Sequence, residues 1–326
     1  MLTDILASGA VLAVSVIILA RSSGVVVDNA VKLSQFFRIS QIAIGFLLIA
    51  VSTSLPELSV SVVSSTMKEG AIAAGNVFGS NIANILLVLG LGAFIYGVRI
   101  STSNLKDIGL VLLLTTVLSL YMVFSSSVQH AALGFVEGIV LLGIFLVYAW
   151  HTVRKGKAES SDGNGKVTKP EALKAFLLFG VGIIVVIVSS GFVVDSAVTL
   201  ARLMGLAESF IGATIIALGT SLPEMSVDLQ AIRKKRYGLA LGDAIGSNMA
   251  NITLVLGAAA VIHPITVTIP VFIAALLFAV IANMALLYAA AVNKGLRRLG
   301  GALFLLLYVV YVIVIFALQF RELGSG

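Results

Sequence analysis

Two glutamates occupy positions where a membrane helix tolerates them poorly. Glu57 and Glu224 each close a TSLPE pentapeptide, Thr53–Glu57 and Thr220–Glu224, and each pentapeptide lies inside an apolar run long enough to cross a bilayer. Insertion scales put an aspartate at the centre of such a helix at roughly 2.5–3.5 kcal/mol. The adjoining proline has no N–H, so Pro56 cannot bond the Ser52 carbonyl, nor Pro223 that of Gly219. Broken backbone at membrane depth persists only where protein or a water-filled cavity supplies partners. Carbonyls near 50–53 and 217–220 are thereby freed as oxygen ligands. Two facing carboxylates repel unless protonated or neutralised by a cation. Two carboxylates with carbonyl and hydroxyl oxygens make a hard, all-oxygen site, and Ca²⁺ takes about six to eight such ligands at about 2.3–2.6 Å. Soft metals want thiolate or imidazole. The chain has no cysteine, and His130, His151 and His263 fall near the ends of apolar runs.

The runs that follow offer more oxygen. Asn76, Ser80 and Asn84 are spaced i, i+4, i+8 and share one helical face, and Asp243, Ser247 and Asn251 repeat the pattern. Glycines at 75, 79, 242 and 246 let another helix approach closely. Any one of these polar residues alone would read as interhelical glue, and either proline alone as a kink. Their recurrence beside a glutamate in both copies favours a site.

The elements that carry these residues follow from composition. Of 326 residues 59% are hydrophobic and 11% charged, with a mean hydropathy of +1.12, more apolar surface than a soluble domain of this size can hide. At about 20 residues per span, the chain divides into ten: 5–32, 41–67, 71–97, 104–125, 131–153, 172–200, 208–232, 238–262, 266–291 and 298–320. The first and sixth are long enough to require tilt. Seventeen of the 21 Lys and Arg fall in connections on one side, among them Arg154–Lys174 and Arg233–Arg236. Lys68, Arg202 and Arg321 lie opposite, and Arg21 lies within the first span. The positive-inside rule then puts both termini outside the cell membrane. This distribution accounts for the net charge of +6 without nucleic acid. The start of the chain lacks a basic segment and carries Asp4, so it reads as a first span rather than a cleaved leader.

One polar linker, 154–171, separates a first half, 1–153, from a second, 172–326. Laying Ser22–Gly90 on Ser189–Gly257 without a gap gives 33 identities in 69 positions, including Asp28 on Asp195 and Glu57 on Glu224. The repeats proper cover about 44–90 and 211–257. Five spans per half is an odd number, so the second copy enters the membrane inverted. The expected fold is an all-α polytopic membrane protein: ten transmembrane helices in two inverted five-helix repeats, with broken helices meeting at the midplane, where such folds place ion sites.

TSLPE followed by GSNIAN or GSNMAN resembles the two α-repeats of the sodium/calcium exchanger family, within the cation/Ca²⁺ antiporter superfamily, and the resemblance covers both halves. It implies a secondary antiporter of prokaryotic type, without regulatory domains, that exchanges Na⁺ for Ca²⁺ by alternating access. Three Na⁺ per Ca²⁺ and an electrogenic cycle come with it. Carried over, the ligands are Ala50, Thr53, Ser54, Glu57, Ser80 and Asn84, with Ala217, Thr220, Ser221, Glu224, Ser247 and Asn251. The alanines and, for Ca²⁺, the threonines act through carbonyls. The resemblance implies no cofactor, no enzymatic activity and no obligate protein partner, only the two ions and the lipid bilayer.

This sequence departs from the pattern at three places. Ser52 stands where the second copy has Gly219. Asp243 replaces the amide of Asn76, as a group behind the ligands or a proton-linked one. Asn251 stands where K⁺-dependent members carry aspartate, which argues for K⁺ independence. The alternative on the same fold is Ca²⁺/H⁺ exchange. A passive channel, or an intramembrane hydrolase built on Asp228 and Asp243, accounts for less, since neither explains the inverted glutamates.

Overall fold

The structure is a computed structural model describing residues 2–101, 105–129, 133–158, 167–203, 217–265 and 269–323. The chain folds as helices: α1 (Leu2–Phe37), α2 (Gln41–Thr53), α3 (Leu55–Thr66), α4 (Gly70–Tyr96), α5 (Leu105–Gln129), α6 (Phe135–Ala158), α7 (Lys169–Leu203), α8 (Leu222–Arg233), α9 (Tyr237–Ile262), α10 (Ile269–Ala291) and α11 (Arg298–Leu323). Two-residue strands β1 (Val98–Arg99) and β2 (Gly295–Leu296) pair antiparallel. Among the described residues eight helices are long and apolar enough to cross a membrane, and α2 with α3, bent by 45°, make a ninth. The seventh expected span is described only from Ala217 onward, as one helical turn (Ala217–Gly219) followed by α8. Its first part, 208–216, lies outside the described residues, as do His130, residues 159–166 of the linker and the terminal Gly-Ser-Gly.

α1 and α7 have 36 and 35 residues. At 1.5 Å per residue each is about 53 Å long, against about 30 Å of hydrocarbon, so they cross at a tilt. They pack on each other along their length. Leu113, Val117 and Leu120 on α5, and Leu299, Leu303 and Leu306 on α11, are exposed on the outside of the bundle, as lipid contact requires. α4 and α9 are the most enclosed spans, surrounded by the other helices.

The contacts recur under the shift of the duplication. α5 packs on α10, α4 on α11 and α9 on α6. Val98 of β1 pairs with Leu296, and its repeat mate Ile265 pairs with Leu133. Lys68 and Lys235, also mates, take left-handed φ of 67° and 58° where α3 and α8 end. Gly90 lies against Gly301, and its mate Gly257 against Gly138.

Among the described residues regular helix is interrupted by π turns at Gly45–Ala50, Ala83–Leu89 and Asn251–Val255. The even i, i+4, i+8 face expected on the fourth and ninth helices therefore widens near Asn84 and Asn251. π turns of this kind concentrate at functional sites.

Candidate ion-binding centre

Each TSLPE segment breaks its helix before the proline. Ser54 sits at φ −78°, ψ 4° between α2 and α3, and Ser221 at φ −90°, ψ 6° before α8. Proline then occupies the first turn of each new helix, where its missing N–H costs nothing. Glu57 and Glu224 lie in those same first turns. A helix N-terminus favours a carboxylate, while the carbonyl end of the preceding segment favours a cation. Each break thus presents both to one point.

The freed backbone is partly re-used. The Ala50 carbonyl accepts from the Ser54 N–H at 3.0 Å and lies 3.3 Å from the Thr53 hydroxyl, which also reaches the Ile49 carbonyl at 3.1 Å. Ala217 contributes the backbone of its short turn; its side chain lies outside the described residues.

Both glutamates are buried, at 1% and 2% exposure. Their charges lie near enough to interact. Their hydroxyl contacts cross between repeats, Thr220 to Glu57 and Thr53 to Glu224. Ser80 donates to Glu57 Oε1 at 3.3 Å. The structure therefore gathers Thr53, Glu57, Ser80, Thr220 and Glu224 in one place.

Several oxygens in this core lack any hydrogen-bond partner. They include Ser54 Oγ, Glu57 Oε2 and Asn84 Oδ1 and, at the matching positions of the second repeat, Ser221 Oγ, Glu224 Oε2 and Asn251 Oδ1. Buried polar atoms are nearly always paired, so each orphan calls for an explanation. Six oxygens in three symmetry-related pairs, two of them carboxylate, have the donor chemistry of a hard cation. Among the described residues no three His, Cys, Asp or Glu gather as a metal site. Only a mixed set of carboxylate and neutral oxygens is present.

Asn76 and Asp243 occupy mated positions but do different things. Asn76 donates to the Glu57 carbonyl at 3.1 Å and to Ser61 Oγ at 3.0 Å. Asp243 accepts from Ser247 at 3.1 Å and from Thr53 at 3.4 Å, and its carboxyl meets that of Asp228, the mate of Ser61. A neutral amide–hydroxyl pair in the first repeat is replaced by two acids in the second.

Three participants went unread in the sequence. Asn81 and Asn248 bond the candidate residues Asn251 and Asn84, and their signal was their identity under the repeat shift. Asp228 was weighed only as half of a hydrolytic pair. It does meet Asp243.

The chain matches the family model described as sodium/calcium exchanger protein over residues 7–154 and 174–317. An uncharacterised membrane protein of Methanocaldococcus jannaschii is 34% identical over 281 residues, 86% of this chain and 89% of its own length. The sodium/calcium exchanger MaX1 of Methanosarcina acetivorans is 26% identical, over 94% of this chain and 97% of its own. A solved structure of the sodium-calcium exchanger NCX_Mj, soaked with 10 mM Na⁺ and no Ca²⁺, superposes with a TM-score of 0.83 at 30% identity. It covers 95% of this chain and 99% of that one. By the extent of these matches the chain belongs to the sodium/calcium exchanger family, whose members are transporters rather than enzymes.

Proposed function

We propose that the protein is a secondary antiporter that exchanges Na⁺ for Ca²⁺ across the cell membrane. Two repeats, 1–153 and 172–326, are joined by the cytoplasmic linker 154–171, with both termini outside. The observation that carries this reading is the set of partnerless oxygens of Ser54, Glu57 and Asn84, matched in the second repeat by those of Ser221, Glu224 and Asn251. These six residues, with Thr53, Thr220, Ser80, Ser247 and the carbonyls of Ala50 and Ala217, form the ligand shell. Glu57 and Glu224 together neutralise one Ca²⁺, and a full Na⁺ load needs the same two groups. The ions therefore alternate, and occupancy by one excludes the other. α1 and α7, packed on each other and longer than the bilayer, move across the broken helices to open the centre to one side at a time.

Three Na⁺ for one Ca²⁺ moves one net charge per cycle, and the asparagine at 251 makes the cycle K⁺-independent. Proteoliposomes test the reading. Ca²⁺ uptake must require an outward Na⁺ gradient and must disappear in Glu57→Gln and Glu224→Gln; uptake indifferent to Na⁺ refutes it.

The Asp228–Asp243 contact favours a second reading, Ca²⁺/H⁺ exchange, because two touching buried acids hold either a proton or a cation between them. Collapsing the pH gradient at constant Na⁺ separates the two.

A further inference from the structure

Where α4 crosses α9, four asparagines make a closed set of hydrogen bonds. Asn81 Nδ2 donates to the Asn248 carbonyl at 3.2 Å, and Asn248 Nδ2 donates to the Asn81 carbonyl at 3.2 Å. Asn84 Nδ2 donates to Asn248 Oδ1 at 3.2 Å, and Asn251 Nδ2 to Asn81 Oδ1 at 3.1 Å. The second bond of each pair is the first carried over by the repeat, and all four side chains are at most 2% exposed.

An amide side chain can be turned either way round, but this set permits one arrangement. A backbone carbonyl only accepts, so the Asn81 and Asn248 carbonyls compel the opposite side-chain NH₂ groups to face them. That choice turns Asn248 Oδ1 toward Asn84 and Asn81 Oδ1 toward Asn251. Each of those oxygens in turn demands an N–H. Asn84 and Asn251 must therefore spend their NH₂ groups on the clasp, and their own oxygens are left over. Both of those oxygens lack a hydrogen-bond partner. Reversing either would oppose two acceptors and point N–H groups at the cation. An aspartate at 251 would have no N–H for Asn81, so the clasp also demands an amide there.

We infer that Asn81 and Asn248, which are not ligands themselves, are positioning residues that hold the Asn251 and Asn84 carbonyl oxygens toward the ion. This deepens the exchanger reading and rests on it. Ca²⁺ and Na⁺ affinities are measured on purified protein by equilibrium binding, and ⁴⁵Ca²⁺ uptake in proteoliposomes. Asn81→Ala should raise the Ca²⁺ half-saturation about tenfold and lower maximal uptake less than twofold. Because Asn81 acts through Asn251, Asn81→Ala/Asn251→Ala should match Asn251→Ala alone. Asn81→Ala/Asn84→Ala should instead multiply to about a hundredfold, since the backbone carbonyl that orients Asn248 remains. Asn248→Ala should show the mirrored pattern, silent on Asn84→Ala and multiplying with Asn251→Ala.

Unchanged affinity in Asn81→Ala, or a hundredfold loss in Asn81→Ala/Asn251→Ala, overturns the inference. Should the alanine variants fail to fold, Asn81→Asp in its protonated form donates its O–H to the Asn248 carbonyl and still accepts from Asn251, so at pH 5.5 its Ca²⁺ affinity must stay within about threefold of wild type at the same pH; a tenfold weakening there overturns the proposal. If Glu57→Gln abolishes binding while Asn81→Ala does nothing, the clasp fails and the exchanger reading stands. Wild-type protein that binds neither ion sinks both.

Discussion

Replacing one glutamate with glutamine tests the centre most directly, because the side chain keeps its shape and one oxygen and loses only the charge. At 1% and 2% exposure, neither Glu57 nor Glu224 has water to screen it. Removing one partner from a buried, charge-paired site costs about 3–5 kcal/mol, and each 1.4 kcal/mol is tenfold in affinity. Ca²⁺ binding should therefore weaken by roughly 10²- to 10⁴-fold. Coulomb energy scales with ion charge, so a Na⁺ at the same distance should lose about half that free energy. Selectivity should accordingly shift toward Na⁺ in both variants. The repeats make the two positions equivalent, and Glu57→Gln and Glu224→Gln should agree within about tenfold. The assay is calorimetric Ca²⁺ titration of purified protein, with Na⁺ titrated in parallel. Thermal unfolding without ions guards against misfolding. There the glutamine variants should melt no lower than wild type, because one of two interacting buried carboxylates has been neutralised. Wild type alone should gain stability from Ca²⁺, about 2.7 kcal/mol at a hundred times Kd. Ca²⁺ affinity within tenfold of wild type in either variant refutes the paired-glutamate centre.

Other expectations follow from the same structure. With three Na⁺ per Ca²⁺, a 60 mV potential should shift the equilibrium Ca²⁺ ratio about tenfold, since one charge carries about 2.3 kcal/mol per 100 mV; a null shift in voltage-clamped vesicles would require two Na⁺ per Ca²⁺. Replacing K⁺ with choline should leave Na⁺-driven uptake unchanged. Asp243→Asn installs the amide found at Asn76, and should spare Na⁺-driven Ca²⁺ uptake to within about threefold. If the exchange is with protons, the same variant should lose uptake driven by a pH gradient. Gly45→Ala would set a Cβ 2.6 Å from the Leu239 carbonyl oxygen and 3.0 Å from the Asp243 nitrogen, where α2 crosses α9. An overpacked contact of this kind costs about 1–3 kcal/mol, read as a lowered melting temperature in detergent.

Much of this protein was legible before any coordinates. Long apolar runs are satisfied by lipid, which made the membrane and the all-helical class readable. Proline's missing N–H marked both helix breaks, and the matched copies put a glutamate at each. Those are local properties, set by residue chemistry and chain order, so Glu57, Glu224 and their serine and threonine neighbours could be named in advance as candidates at the two breaks. What the sequence could not show is which way an amide faces or which acid meets which. Asn81 and Asn248 matched under the repeat but had no readable role, because a role needs a partner on the other helix in the right register. The π turns at Ala83–Leu89 and Asn251–Val255, the carbonyl of Ala50 drawn back toward Ser54 and Thr53, and the meeting of Asp228 with Asp243 likewise depend on how α3, α4, α8 and α9 pack. Such contacts join residues far apart in the chain, and only the packed bundle brings them within the 3 Å or so over which a hydrogen bond acts.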